Sequence, residues 1–248
     1  MAFSLLAHAL AAGPPPVEAN TALSDFGLSV AATAVGAVQG ALMVVDEPDY
    51  DVVGVVVIAA CLGFGGGVVR DMLTGTIPPD ALRSPWFTLT VIVAAFLTTF
   101  LHHWFRRMGR LLFLADALVM GLFGAIGAEK ALLVGLSPFI AVVLGSVVAV
   151  SGGILADLMM GRHPAILKPG KPNALAAMVG VLLFVVLAQH FKVHTNIATA
   201  VDVVVVVALR ILVEWKGIVT PTAAELTPSL LERIDERAVE PGDDEDPA

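Results

Sequence analysis

The stretch "GFGGGVVRDMLTG", Gly63 to Gly75, decides how this chain is read. It sets three consecutive glycines, an arginine and an aspartate into an otherwise aliphatic run, "VVGVVVIAACL", that begins at Val52. About 20 apolar residues take a helix across the hydrocarbon of a bilayer, and Val52–Leu73 supplies that length. Glycine loosens a helix interior. Backbone groups freed at membrane depth are tolerated only where they are buried in protein or face water. The spacing therefore predicts a broken membrane helix at Gly65, Gly66 and Gly67, with the break lining a pathway. Close packing of helices across small residues is the alternative.

Composition agrees with a membrane setting. Hydrophobic residues make up 57% of the 248 positions, charged residues 15%, and the mean hydropathy is +0.88, which together predict an all-α membrane protein. Seven bilayer-length segments can be read: Ala22–Val45, Val52–Leu73, Pro85–His102, Leu111–Leu133, Pro138–Met160, Pro172–Phe191 and Ile197–Trp215. Pro85, Pro138 and Pro172 stand at or near first-turn positions, where a missing N–H costs nothing. Alternate loops hold Arg106, Arg107 and Arg110, then Arg162, Lys168 and Lys171, then Lys216, whereas the others hold little beyond Arg83 and Lys192. By the positive-inside rule the basic set is cytoplasmic, with the N-terminus outside and the C-terminus inside. Seven of the eight net negative charges belong to the segment from Gly217 onward. That acidic tail, 217–248, reads as solvated, and nucleic acid is not an expected partner.

The halves of the chain repeat. "DFGLSVAATAVGAVQGAL" from Asp25 aligns without a gap on "DALVMGLFGAIGAEKALL" from Asp116, with Gly36 on Gly127 and Gln39 on Lys130. "GGVVRDMLTGTIP" from Gly66 aligns on "GGILADLMMGRHP" from Gly152, so Asp71 matches Asp157, Gly75 matches Gly161, and Ala156 stands where Arg70 has its place. A third pair starts at Pro85 and Pro172. Each unit has three spans, an odd number, so the second must enter from the opposite side, and such inverted repeats place a site at matching broken helices. The expected organisation is a lead over 1–21, one three-helix unit over 22–103, an inverted second over 104–192, a seventh helix over 193–216 and the tail. Gly152 and Gly153 mark the second break.

Charges inside apolar spans are costly, about 3 kcal/mol each at the bilayer centre, and so face protein or water. Arg70 can pair with Asp71 or with Asp157 of the other unit. Asp25 and Asp116 begin their segments, where a helix dipole favours a carboxylate; a place at the edge of a pore is equally open. Lys130 lies about 8–12 Å from the middle of its span at 1.5 Å per residue, and can either snorkel or line a wet pathway. Asp202 interrupts the seventh span as a packing or subunit-contact residue, and Arg210 and Glu214 are spaced for an i,i+4 pair. Histidines cluster at span ends without a metal-binding spacing, no phosphate-binding motif is complete, and no nucleophile–base constellation is present. Neither an enzyme nor a cofactor is expected.

The Asp-led glycine/alanine spans, "GGGVVRDMLTG" with its following proline, "GAEKA" and "GGILADLMMG" together resemble the prokaryotic branch of the trimeric intracellular cation channel (TRIC) family over about Leu23–Trp215. The resemblance implies a homotrimer among membrane lipids of a bacterial or archaeal cell membrane, each subunit with its own pore for monovalent cations, chiefly K⁺. It also implies that kinked second and fifth helices surround the pore and that Lys130 lines and gates it. Two departures stand out: Ala156 replaces an arginine that many relatives repeat, and "EKA" replaces the triplet of animal members, whose lipid regulation is therefore not implied. The other readings are a secondary transporter of a small solute, with Asp71 and Asp157 binding a proton or the substrate, and a membrane scaffold acting through its tail.

Overall fold

The computed structural model describes residues 22–168 and 170–220, the side chains of residues 22–25 and 28 aside. The side chain of Asp25, the lead and the acidic tail beyond Thr220 thus lie outside what is described. Seven long helices make up the body: α1 (Ala22–Val44), α2 (Val52–Leu73), α3 (Pro85–Arg107), α4 (Gly109–Leu133), α5 (Pro138–Met159), α6 (Asn173–Gln189) and α7 (Thr195–Lys216). Single helical turns at Asp80–Arg83 and Ala165–Leu167 follow α2 and α5. No strand occurs among the described residues. Five helices, α2, α3, α4, α5 and α7, are long and apolar enough to cross a membrane, while α6 and the apolar part of α1, Ser29–Val44, are shorter.

Packing divides the body into two triads. Helices α1, α2 and α3 contact one another, as do α4, α5 and α6; α2 against α5 and α1 against α4 join them, and α7 lies on α4 and α6. Small residues form much of the interior, including Ala37, Ala41, Ala59 and Ala95 in one triad and Ala125, Ala128, Ala131 and Ala141 in the other. Large apolar side chains point outward instead, Phe100, Trp104 and Phe139 among them. This inversion of the usual inside–outside order suits lipid or a neighbouring subunit, since tails are as apolar as leucine and close approach is what holds helices together. Helix α3 runs past the apolar segment to Arg107, and His102 and Arg106 near its end both reach Asp46 in the α1–α2 connection.

The glycines correct one expectation. α2 and α5 are unbroken α-helices through Gly65–Gly67 and Gly152–Gly153. A Cβ at Gly66 would stand 2.9 Å from the Val148 carbonyl oxygen, and one at Gly152 would stand 2.9 Å from that of Leu62. One at Gly65 would meet Leu155 Cδ1 at 2.9 Å. The glycines therefore let the two helices touch backbone to backbone. An i→i−4 ladder survives glycine when tertiary contact compensates for the lost backbone entropy, which costs only about 1 kcal/mol per residue relative to alanine.

The exits of α2 and α5 share one design. Each helix ends, two residues on, at a glycine in the left-handed region, Gly75 (φ +72°) and Gly161 (φ +66°), a conformation that glycine reaches without a Cβ penalty. Beyond each, the chain folds back onto an aspartate of the helix: Asp71 Oδ2 accepts from the Asp80 N–H at 2.8 Å, and Asp157 Oδ2 accepts from the Ala165 N–H at 2.8 Å. The carboxylates cap the entry to the single helical turns, where the N–H groups lack helical partners. Here the likeness stops. Asp71 is fully buried and ion-paired to Arg70 and Lys130, whereas no ion pair of Asp157 is present among the described residues.

Two outcomes follow for purified protein unfolded thermally in detergent. Gly152→Leu should lose folded protein or lower the midpoint by the equivalent of about 1–3 kcal/mol or more, as overpacking does, because a backbone cannot step aside. Asp71→Asn should cost about 3–5 kcal/mol, the scale for leaving buried charges unpaired. Asp157→Asn, which keeps the capping acceptor, should cost under about 1 kcal/mol.

Candidate functional site: two cavities at the helix crossing

α2 carries Arg70 and Asp71 into the interior near its C-terminal end, and α4 carries Lys130 to meet them. Arg70 Nε donates to Asp71 Oδ1 at 2.8 Å, and Lys130 Nζ donates to the same oxygen at 2.7 Å and to Asp80 Oδ2 at 3.1 Å. Arg70 Nη2 reaches the same Asp80 oxygen at 3.5 Å. Two cations and two carboxylates thus form one network that ties α2, α4 and the α2–α3 connection. Arg70 pairs within its own unit, and the alternative pairing with Asp157 is not made. Lys130 is 21% exposed in its side chain and turned onto Asp71, so it does not snorkel to the surface.

This network borders a cavity of 530 Å³ that opens on the face of the α2–α3 connection and is lined by Ser29, Thr33, Gly67, Arg70, Asp80 and Lys130, among others. A second cavity, also 530 Å³, opens on the opposite face, where α7 ends. Its walls include Gln39, Gly66, Asp116, Gly152, Gly153 and Asp157, and Lys168, Lys171 and Arg210 stand around it. Gly66 faces one cavity and Gly67 the other, and Phe123 lines both. The two recesses come within one aromatic ring of each other at the glycine crossing.

Two local expectations are corrected at the second cavity. Asp116 is not at a helix start: α4 begins at Gly109, and Asp116 is met two turns later by Arg210 Nη1 from α7. With its amide oriented to satisfy both groups, Gln39 donates to Asp116 Oδ1 at 2.8 Å and accepts from the Asp116 N–H at 3.2 Å. Arg210 also lies over the Phe113 ring, 5.1 Å from its centroid, a favourable placement for a guanidinium. The i,i+4 pairing of Arg210 with Glu214 therefore fails, since Glu214 pairs with Lys171 across the α5–α6 connection. Finally, Asp202 is fully buried within the subunit, its carboxyl set against Gly180 of α6, where a Cβ would stand 2.2 Å from Oδ1. Of the two alternatives, this burial inside the chain accords with packing.

Sequence reasoning missed Phe123, and the signal was present: Asp116, Phe123 and Lys130 recur every seven residues on α4, which returns nearly to the same helix face after two turns. No group of three or more His, Cys, Asp or Glu side chains placed to hold a metal occurs among the described residues.

Comparison with known proteins places this geometry. A family model described as "Glycine transporter" matches residues 27–103 and, a second time, 113–189. A UPF0126 membrane protein of Deinococcus radiodurans is 35% identical over 156 residues, 62% of this chain and 72% of that protein. The UPF0126 membrane protein YvgT of Bacillus subtilis is 34% identical over 163 residues, 63% of this chain and 77% of that protein. Among solved structures, the trimeric intracellular cation channel orthologue of Rhodobacter sphaeroides superposes with a TM-score of 0.71 at 31% identity, covering 79% of this chain and 99% of its own. A chain from work on conductance through TRIC cation channels superposes with a TM-score of 0.72 at 27% identity, covering 78% and 94%. The chain therefore belongs to the family that the "Glycine transporter" model describes and is a member of the prokaryotic trimeric intracellular cation channel family.

Proposed function

We propose that the chain is a passive channel for monovalent cations, mainly K⁺, with one pore in each subunit of a homotrimer. The observation that carries this reading is the pair of cavities entering from opposite faces and meeting where α2 and α5 cross. Its structural neighbours are cation channels. On this reading α1 and α6 also cross the membrane, giving seven spans with the basic connections and the C-terminus in the cytoplasm. The triads are inverted repeats, which the double match of one family model supports, the shift between its matches being the one that separates Gly66 from Gly152. Lys168, Lys171 and Arg162 then edge the cytoplasmic side, and the Lys130 network closes the outer side.

In this arrangement Lys130 gates by occupying the carboxylates that a cation needs. While Nζ holds Asp71 and Asp80, the route carries a fixed positive charge and no free acid. When Lys130 withdraws, the Asp80 and Asp71 oxygens turn toward the cavity and attract cations, as rings of acidic oxygens do in cation pores. A lysine moving through the full membrane field would couple to voltage at about 2.3 kcal/mol per 100 mV, and a shorter excursion couples in proportion. Arg70 remains on Asp71 and keeps the buried acid from standing alone.

A second reading, a secondary transporter of a small solute, draws support from the description of the family model and from the closure between the two cavities. Purified protein in planar bilayers with asymmetric KCl separates the two. Discrete unitary K⁺ currents are expected, and Lys130→Ala should change open probability by about tenfold, the effect of 1.4 kcal/mol, while the oligomer in size-exclusion chromatography stays unchanged. Silent bilayers from well-folded protein, together with saturable glycine counterflow in proteoliposomes, would replace the channel by the transporter.

A further inference from the structure

We propose that Phe123 is the septum of the permeation route, an apolar gate independent of the Lys130 network, and that Gly67 provides the space into which its ring swings. The inference rests on the pore reading above and names a residue that the charge network does not include.

Three observations converge on this ring. Phe123 is 7% exposed and lines both cavities. Adjacent residues of α2 divide between those cavities, Gly66 facing one and Gly67 the other, so both cavities reach the same level of α2. Phe123 Cδ2 lies 4.0 Å from the point where a Cβ of residue 66 would stand, and Val148, whose carbonyl lies beside the same point, is buried in the same core cluster. The ring is thus wedged at the level of the α2–α5 crossing. Along α4, Asp116 borders one cavity and Lys130 the other, each two turns from Phe123 and about 10 Å away at 1.5 Å per residue. A cation travelling between the two polar ends must pass an uncharged phenyl ring, and apolar constrictions of this kind close a pore by excluding water.

The two glycines then have different tasks. A Cβ at Gly66 would strike the Val148 carbonyl at 2.9 Å, whereas a Cβ at Gly67 would meet nothing within 4 Å. Gly66 is needed for the crossing. Gly67 leaves open space in a cavity that the Phe123 ring also lines, and on this proposal a χ1 change carries the phenyl group into it.

The test is single-channel recording of the full chain with Phe123→Ala, Gly67→Val and Phe184→Leu. Phe184 is a buried aromatic of α6 that lines neither cavity, so it reports general loosening of the core. Phe123→Ala should raise open probability or leak by about tenfold or more, corresponding to at least 1.4 kcal/mol, and Phe123→Leu serves in its place where the alanine variant fails to fold. Gly67→Val should lower it by a similar factor, while Phe184→Leu leaves it as in the wild type. Wild-type currents accompanied by unchanged Phe123 variants, or by equal effects from Phe184→Leu, overturn the septum and leave the channel reading standing. If the wild type is silent, the channel reading fails by itself. In that case proteoliposome K⁺ leak decides the septum: leak in Phe123→Ala alone supports it, and tight vesicles overturn it.

Discussion

Backbone contact between α2 and α5 is the constraint on which the rest of this structure depends. Gly66 and Gly152 each bring a Cα to within touching distance of a carbonyl on the opposite helix. No side chain larger than hydrogen fits at either point. In a bilayer, where hydrophobic burial offers no net drive to helix association, such proximity supplies dispersion contact that bulkier residues would forfeit. The contact lies in the C-terminal half of both helices, and Gly66 at that contact lines one of the cavities.

The polar groups are arranged around that contact and differ at its two ends. One end holds a closed network in which Asp71 is surrounded by Arg70, Lys130 and the Asp80 N–H. At the other, Asp157 caps the Ala165 N–H and makes no ion pair among the described residues, while the cations around that cavity pair with other acids, Arg210 with Asp116 and Lys171 with Glu214. Both cations of the network lack a basic counterpart in the other half, Ala156 standing at the place of Arg70 and Gln39 at that of Lys130. The matching left-handed glycines and carboxylate caps show that both helices leave their triads in the same manner, so the asymmetry is one of charge and not of backbone course.

The family likeness bears on chemistry only through the residues that stand in these places. Its members include a channel described as trimeric and conducting cations, and also a family description naming a transporter. Both descriptions suit a chain with recesses at opposite faces and a thin closure between them. What separates a channel from a transporter in such a frame is whether that closure opens at one place or alternates between two, and one ring at the crossing favours the former.

By itself the sequence determined the helical membrane body, because runs of about 20 apolar residues have few other ways to satisfy their backbones. It also carried the internal repeat, with Gly75 matched to Gly161, and made Arg70, Asp71 and Lys130 conspicuous among aliphatic neighbours, whereas the part of Asp80 in their network and the carboxylate caps came only from the fold. Tertiary structure alone decided what the glycines do. Freedom to break a helix and freedom to approach another have the same local cause, a missing Cβ, and only the neighbour opposite distinguishes them. The same holds for Arg210, whose local spacing pointed to Glu214 although the winning partner, Asp116, lies on a different helix 94 residues away. Phe123 was least visible of all, because a phenyl ring in an apolar helix acquires meaning only when two cavities are found to end against it.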